Sequence, residues 1–412
     1  MTTELKKSYL KDISIQEAID MVKSQAIQLE TEKLSLSAAY GRNLAQDLKS
    51  LVDHPSCNNS ALDGYACRLE DSLNATQEHP VSLNIIGDVP AGSVFAGVVG
   101  LREAVSIYTG APVPAGADAI IAVEDTFKEG DRVFFKRPAR SDDIRPRGQD
   151  IKAGEIYLRK GQKLTPAAIG VAASMGYAEL EVFKAPRIGI LATGDEVIEP
   201  GLPIRDGQVY NSNSYSVAGL VHKAGGIPIL LPRAIDDPKI LRETIERAGG
   251  LDFLITSGGV SMGKYDFVRD LLFHEGKVHF WKVAIRPGGP TLFGEWQGMK
   301  VFGLPGNPVS SMVVFLLIAE VWLRASLGGL EPPLYHQRLK ARALSEFKGA
   351  GYKEAFRRAK LNFNHQDHCF EVTTTGDQSS GILTSMLYGE ALAITAPYQN
   401  AAVGDWLDII PL

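Results

Sequence analysis

Phe253-Leu254-Ile255-Thr256-Ser257-Gly258-Gly259-Val260-Ser261 decides how this chain is read. A short apolar run stops at two glycines, without the polar alternation of a half-exposed strand. That is the texture of a parallel strand buried on both faces and ending in a tight turn. Runs of the same kind stand at 188–192, 227–231 and 301–304, and 278–285 adds another strand. Helical stretches fit near 213–224, 237–248, 264–274 and 307–326. Strand–helix alternation predicts a three-layer α/β unit over about 186–328.

The texture changes on either side. Between about 54 and 149, runs at 81–86, 104–108, 119–123 and 132–135 are separated by Gly, Pro and Asp, which predicts a β-rich segment. From about 331 to 412, runs at 337–344, 354–361, 370–374, 391–395 and 406–410 predict a small barrel or sandwich. Ser14 and Glu17 form a capping box opening a helix from about 15 to 28. Residues 36–44 read as a second, shorter helix. Thr165-Pro166 opens another, stopped by Gly176.

Composition limits the function. The 412 residues are 45% hydrophobic and 22% charged, as in ordinary globular proteins. A net charge of -5 gives no basic field for nucleic acid or an anionic membrane, so a small anionic substrate needs a locally built positive site. The longest apolar run, 312–319, is short of the ~20 residues that span a bilayer, and it meets Glu320, so a buried helix is expected. The amino-terminal stretch lacks the apolar core of a secretory leader. Three cysteines, Cys57, Cys67 and Cys369, without C-x-x-C spacing suit free thiols in a reducing cytoplasm.

Open α/β sheets bind ligands at the carboxyl ends of their strands. Three such ends carry glycine loops: Thr193-Gly194-Asp195-Glu196, Ser257-Gly258-Gly259-Val260-Ser261 and Leu304-Pro305-Gly306-Asn307-Pro308. Bare N–H groups before a helix suit a phosphate. Gly258 to Lys264 begins like a Walker A motif but ends on Tyr265, where Mg²⁺ binding needs Ser or Thr. Glu196, Asp236 and Asp266 are carboxylates near these loops that suit Mg²⁺, although Asp236-Asp237-Pro238 also reads as a helix cap. Arg145, Arg147 and Asp150 crowd into six residues around Pro146. Lys282 and Arg286 lie four apart in one expected strand, so both cations would meet one anion; strand-end ion pairs are the plain alternative. His365, His368 and Cys369 only superficially resemble a metal cluster.

Six motifs now stand in order: Asn59-Ser60-Ala61-Leu62-Asp63-Gly64-Tyr65, Tyr108-Thr109-Gly110-Ala111-Pro112-Val113-Pro114, Arg145-x-Arg147-Gly148-x-Asp150, Thr193 to Glu196, Ser257 to Ser261, and Gly303 to Pro308. Together they closely resemble the molybdopterin molybdenumtransferases, the MoeA family that includes the C-terminal domain of gephyrin. The resemblance implies a multidomain α/β plus β fold. A helical linking domain takes 7–53 and 150–180, and a β-rich domain is inserted at 54–149. An α/β molybdopterin-binding domain takes 181–330, and a C-terminal β-barrel takes 331–412. It further implies an elongated homodimer whose active site lies where the α/β domain of one subunit faces the β-rich domain of the other, and the cysteine usage noted above places it in the cytoplasm.

The implied reaction takes adenylyl-molybdopterin and molybdate to molybdenum cofactor and AMP, with Mg²⁺. The resemblance makes Asp63, Asp150, Glu196, Asp236, Asp266, Lys282 and Arg286 the candidate catalytic residues. Glu196, Asp236 and Asp266 are also the candidate metal ligands. Thr109, Arg145, Arg147, Ser257, Gly258, Gly259, Ser261, Pro305, Gly306, Pro308 and Ser380 are candidate substrate contacts. A separate molybdopterin adenylyltransferase is a candidate docking partner; nucleic acid and membranes are not expected partners. The family pattern Lys-Pro-Gly-Lys-Pro reads here Arg286-Pro287-Gly288-Gly289-Pro290. One lysine becomes arginine and a second cation is lost at Gly289, which bears on molybdate against tungstate. A tungstate-preferring paralogue and a dimeric scaffold with weak or no activity are the alternatives.

Overall fold

The computed structural model describes residues 9–232, 243–244, 246–259 and 267–412. They divide into two compact units. One comprises the described residues within Met1–Glu32, Gly41–Asn43 and Phe183–Leu412, the other Lys33–Tyr40 and Leu44–Val182.

The first unit holds a seven-stranded sheet in the order Leu10–Ile13, Lys277–Val283, Leu292–Trp296, Met299–Leu304, Phe253–Ser257, Arg187–Ala192 and Ile227–Leu230. The last four strands are parallel neighbours. Phe253–Ser257 is buried along its whole length, which explains its unbroken apolar run. After Arg187–Ala192 the chain pairs first on one side, with Ile227–Leu230, and then on the other, with Phe253–Ser257. The order therefore reverses between these strands, and a crevice opens at their carboxyl ends. The parallel strand Leu10–Ile13 was not foreseen: its first three residues are exposed and it has no apolar alternation.

Helices pack on this sheet. Ile15–Ser24 begins with the expected capping box: Glu17 N–H donates to Ser14 Oγ, and Ser14 N–H donates to the Glu17 carboxylate. Pro308–Ser326 is one apolar helix, long and apolar enough to span a bilayer, but most of its residues are buried inside the protein. Its middle, Phe315–Ala319, widens to a π-helix. Glu320, buried beyond it, pairs with Arg324 at 2.7 Å. Of the expected helix at 237–248, residues 237–242 and 245 lie outside the described residues, and 243–244 and 246–248 are helical.

The C-terminal barrel closes as a ring of five strands: Glu354–Asn364, Cys369–Thr374, Leu339–Ala343, Trp406–Pro411, Ala391–Thr395 and back to Glu354–Asn364. Its core is small, with Ala341, Ala343, Ala359, Ala391 and Ala393 buried beside Phe347 and Val372. Closure leaves no bare edge within the ring.

The second unit carries a six-stranded sheet in the order Ala119–Ala122, Gly64–Cys67, Glu103–Ile107, Val81–Val89, Arg132–Phe135 and Thr126–Glu129. Gly64 sits where a Cβ would run into the carbonyl oxygen of Ile121, so the Asp63-Gly64 step is set by close strand approach. Helix Pro166–Ser174 opens with Thr165 accepting from the N–H of Ala168 at 3.2 Å. The expected short helix at 36–44 is absent: Thr31–Ser35 is a strand, turns follow, and Leu44 bridges Val182. Gly41, at φ +79°, sits in a conformation no right-handed helix contains.

Candidate active site

The crevice at the strand-order reversal is framed by two glycine turns. Gly258 and Gly259 have φ of +96° and +68°, and a Cβ on Gly258 would lie 2.7 Å from Thr193 Oγ1. Glycine is thus required both by conformation and by packing against the Thr193 turn. Ser257, 4% exposed, accepts a hydrogen bond from Asn213 Nδ2 at 2.8 Å. The same amide donates to the Gly306 carbonyl at 2.7 Å, so Asn213 stitches the second loop to the third. Its Oδ1 is buried with no partner among the described residues, an acceptor left over for a ligand. Ser311 donates to the Pro305 carbonyl and fixes the start of the long helix. Pro308 occupies the first helical turn, where its missing N–H costs nothing.

Beside this turn, a cleft of about 930 Å³ lies between the α/β portion and the barrel of the same unit. Arg286, Pro305 and Ser380 line it, three residues distant in sequence and expected together. Asn307 Nδ2 donates to Ser380 Oγ at 2.9 Å, and Val309 N–H donates to the Ser380 carbonyl at 3.1 Å. Ser380 is thereby docked onto the helix start. Behind it, the fully buried Arg358 donates from Nε to Ser385 Oγ at 2.9 Å and from Nη2 to the Ser379 carbonyl at 3.0 Å. Burial lowers its guanidinium to about 10, with Arg357 adding repulsion, so it stays charged at neutral pH. Arg357, also buried, is lowered first by burial and then by Arg286.

Lys282 and Arg286 do not share a strand face. Lys282, at φ +70°, lies in the seven-stranded sheet, whereas Arg286 pairs with Ala355 of the barrel. The left-handed residue breaks the alternation on which the expectation rested. Lys282 lays its ammonium 4.8 Å from the centroid of the Trp281 ring, and it is not among the residues lining the cleft.

In the second unit, Asp63 accepts from both the N–H and the hydroxyl of Thr109, at 2.7 and 2.8 Å. These bonds, the backbone one foremost, hold its carboxyl below the usual range. Arg145 and Asp150 line a hollow of about 470 Å³ with His54 and Asn59. The Asn59 Oδ1 there is buried without a partner among the described residues. Arg147 is drawn elsewhere, into an ion pair with Asp53 at 2.5 Å. A structural use of Arg147 is therefore visible.

Glu196 is exposed, and its carboxylate lies over Gly194, 2.6 Å from where a Cβ would stand. An oxygen donor at a strand end suits a hard divalent cation. Asp236, Asp266 and Ser261 lie outside the described residues. Asp367, Cys369 and Glu371 form a metal-like group beside His368, but Arg342 pairs with both carboxylates and supplies the cation itself.

Asn213, Lys353, Arg357 and Arg358 were missed from sequence. None belongs to the glycine motifs, and the arginines sit in a strand whose apolar neighbours signal only core. A buried strand carrying two adjacent arginines, Arg357-Arg358, was the available signal, because burying charge without purpose is costly.

Comparison with known proteins accounts for this assembly. The family described as MoeA N-terminal region (domain I and II) matches residues 13–176. A probable molybdopterin binding domain matches residues 189–325, and the MoeA C-terminal region (domain IV) matches residues 340–412. A Haemophilus influenzae protein named molybdopterin molybdenumtransferase is 34% identical, covering 95% of this chain and 96% of its own. A Mycobacterium tuberculosis protein named molybdopterin molybdenumtransferase 2 is 38% identical over 79% of this chain and 82% of its own. The crystal structure of the molybdopterin biosynthesis MoeA protein from Pyrococcus horikoshii superposes with a TM-score of 0.82 at 30% identity, covering 97% of this chain and 100% of that one. The chain belongs to the MoeA family.

Proposed function

We propose that this protein is a molybdopterin molybdenumtransferase, which takes molybdate and adenylyl-molybdopterin to molybdenum cofactor and AMP. The observation that carries the reading is the cleft in which Arg286 and the buried Arg357 face the Pro305–Pro308 turn and Ser380. Two guanidiniums with no carboxylate partner among the described residues, beside backbone turned by glycine and proline, are suited to an oxyanion. The curated relatives carry the same activity in their names.

In this reading Ser257, Gly258, Gly259 and Ser261, with Pro305, Gly306 and Pro308, cradle phosphate and pterin. Arg286 and Ser380 hold molybdate, and Lys282 neutralises charge leaving with AMP. Asp63, Thr109, Arg145, Arg147 and Asp150 reach the site from the facing subunit of a homodimer. Glu196, with Asp236 and Asp266, would hold Mg²⁺, which supplies charge neutralisation on phosphate oxygens. The chain's own work is positioning: fixed donors hold the two substrates in reacting orientation and exclude water. A cytoplasmic setting follows, with a separate molybdopterin adenylyltransferase as the source of substrate. The variants Asp63→Ala and Glu196→Gln test it. A transferase loses at least about a hundredfold in AMP release with either, as for other preorganised polar groups; full activity in both would leave a scaffold.

A further inference from the structure

The loop Arg286-Pro287-Gly288-Gly289-Pro290 contains two glycines that serve different ends. Gly288 needs its φ of +106°, and a Cβ there would strike Val314 Cγ2. Gly289 has no such φ. A Cβ on Gly289 would instead lie 3.1 Å from the Nζ of Lys353, with the carbonyl oxygens of Ile285 and Val283 at 3.5 and 3.6 Å. What fills the space beside Gly289 is the end of another cation.

Register brings Lys353 there. Ile285–Arg286 pairs in parallel with the start of the strand Glu354–Asn364, setting Ile285 opposite Glu354 and Arg286 opposite Ala355. The Glu354 N–H donates to the Ala284 carbonyl at 3.0 Å. Lys353 immediately precedes this pairing. Lys353 and Arg357 lie four apart, and both line the cleft with Arg286. The same-face pair of cations sought at Lys282 and Arg286 thus occurs one strand away.

None of the three is neutralised. Arg357 gives its Nε to the Lys348 carbonyl at 2.9 Å and its Nη2 to the Gly349 carbonyl at 3.1 Å. No carboxylate pairs with Arg286, Lys353 or Arg357 among the described residues; the cleft's own Asp377 accepts from the Ser379 N–H at 2.7 Å. With Lys348, four cations line the cleft against two carboxylates, Glu346 and Asp377, neither of which pairs with Arg286, Lys353 or Arg357 among the described residues, and this excess of positive charge suits a compact dianion.

We propose that Lys353 is a substrate-binding residue for the tetrahedral oxyanion, and that Gly289 is glycine so that the Lys353 ammonium can occupy the place beside it. The charge that sequence reading marks as lost at position 289 is supplied from the barrel. This rests on the transferase reading and names one of its specificity determinants.

The test is AMP release from adenylyl-molybdopterin, titrated with molybdate, for wild type, Lys353→Ala, Lys353→Arg and Lys353→Ala/Gly289→Lys. Loss of one charge-assisted contact raises the molybdate half-saturation of Lys353→Ala roughly tenfold. Half-saturation for adenylyl-molybdopterin and the thermal midpoint stay within about twofold and ~2 °C, a split that a merely structural lysine would not give. Lys353→Arg keeps most of the affinity, and the double variant recovers to within roughly threefold of wild type. If wild type is active and Lys353→Ala keeps its molybdate half-saturation, or moves both substrates equally, the assignment of Lys353 is overturned. If wild type shows no molybdate-dependent release, the transferase reading itself falls, and this assignment with it.

Discussion

The cleft of the first unit and the Asp63–Thr109 turn of the second are built on opposite plans. The cleft gathers positive charge and buries part of it: Arg358 is fully covered and Arg357 nearly so. Its parts come from four stretches of chain, locked by Asn213, Asn307 and Arg358 rather than by any one element. The Asp63 turn presents an exposed carboxylate, held by one threonine, just before a strand fixed by glycine. Covering a cation is expensive, and among the described residues neither arginine pairs with a carboxylate, so their charge is left for an anion. An exposed carboxylate needs no such support and stays ionised by local hydrogen bonds alone.

The contrast can be broken most severely at Gly64. Gly64→Ala drives a methyl into the Ile121 carbonyl and should cost roughly 3 kcal/mol or more of second-unit stability. Hydrogen exchange should show that loss in Gly64–Cys67 and Ala119–Ala122 while Phe253–Ser257 keeps its protection; equal loss in both sheets would deny the two units their independence.

Asn307→Ala gives a smaller effect. It removes the side-chain donor to Ser380 while the Val309 N–H bond remains, so about 1 kcal/mol, roughly a fivefold rise in molybdate half-saturation, is expected. Steady-state titration measures it, and no change would mean that Ser380 is placed by the barrel alone.

The smallest effect concerns acid. Hydrogen bonds from Thr109 favour the charged form of Asp63, so its folded pKa lies below the unfolded value. The associated stability is present above the ordinary carboxylate range and is lost as pH falls through the depressed folded pKa. Thr109→Val removes the hydroxyl but keeps the N–H, so the Asp63 titration followed by NMR should move up part of the way to the ordinary value. A midpoint unmoved by Thr109→Val would leave only the backbone bond at work.

Legibility in the sequence followed how local the signal was. The four parallel strands and the capping box at Ser14 are written in consecutive residues, and they appear where expected. The helix read at 36–44 failed because Gly41 sets a left-handed φ, and composition alone does not show which glycines do so. Pairing of Lys282 with Arg286 failed similarly, since nothing in a lysine announces φ +70°. The glycine loops were legible because turning requires glycine. Asn213, Arg357 and Lys353 were not, because their roles arise from register between strands far apart in the chain.

The central claim is that the cationic cleft serves molybdate insertion. Purified protein should be incubated with adenylyl-molybdopterin and Mg²⁺, with molybdate and in parallel with tungstate, and AMP followed over time. Molybdate-dependent release accompanied by active cofactor is the predicted result, with Arg286 a working replacement for lysine. Release with tungstate alone would assign the cleft to the other anion, and tight substrate binding without release under either would contradict the account.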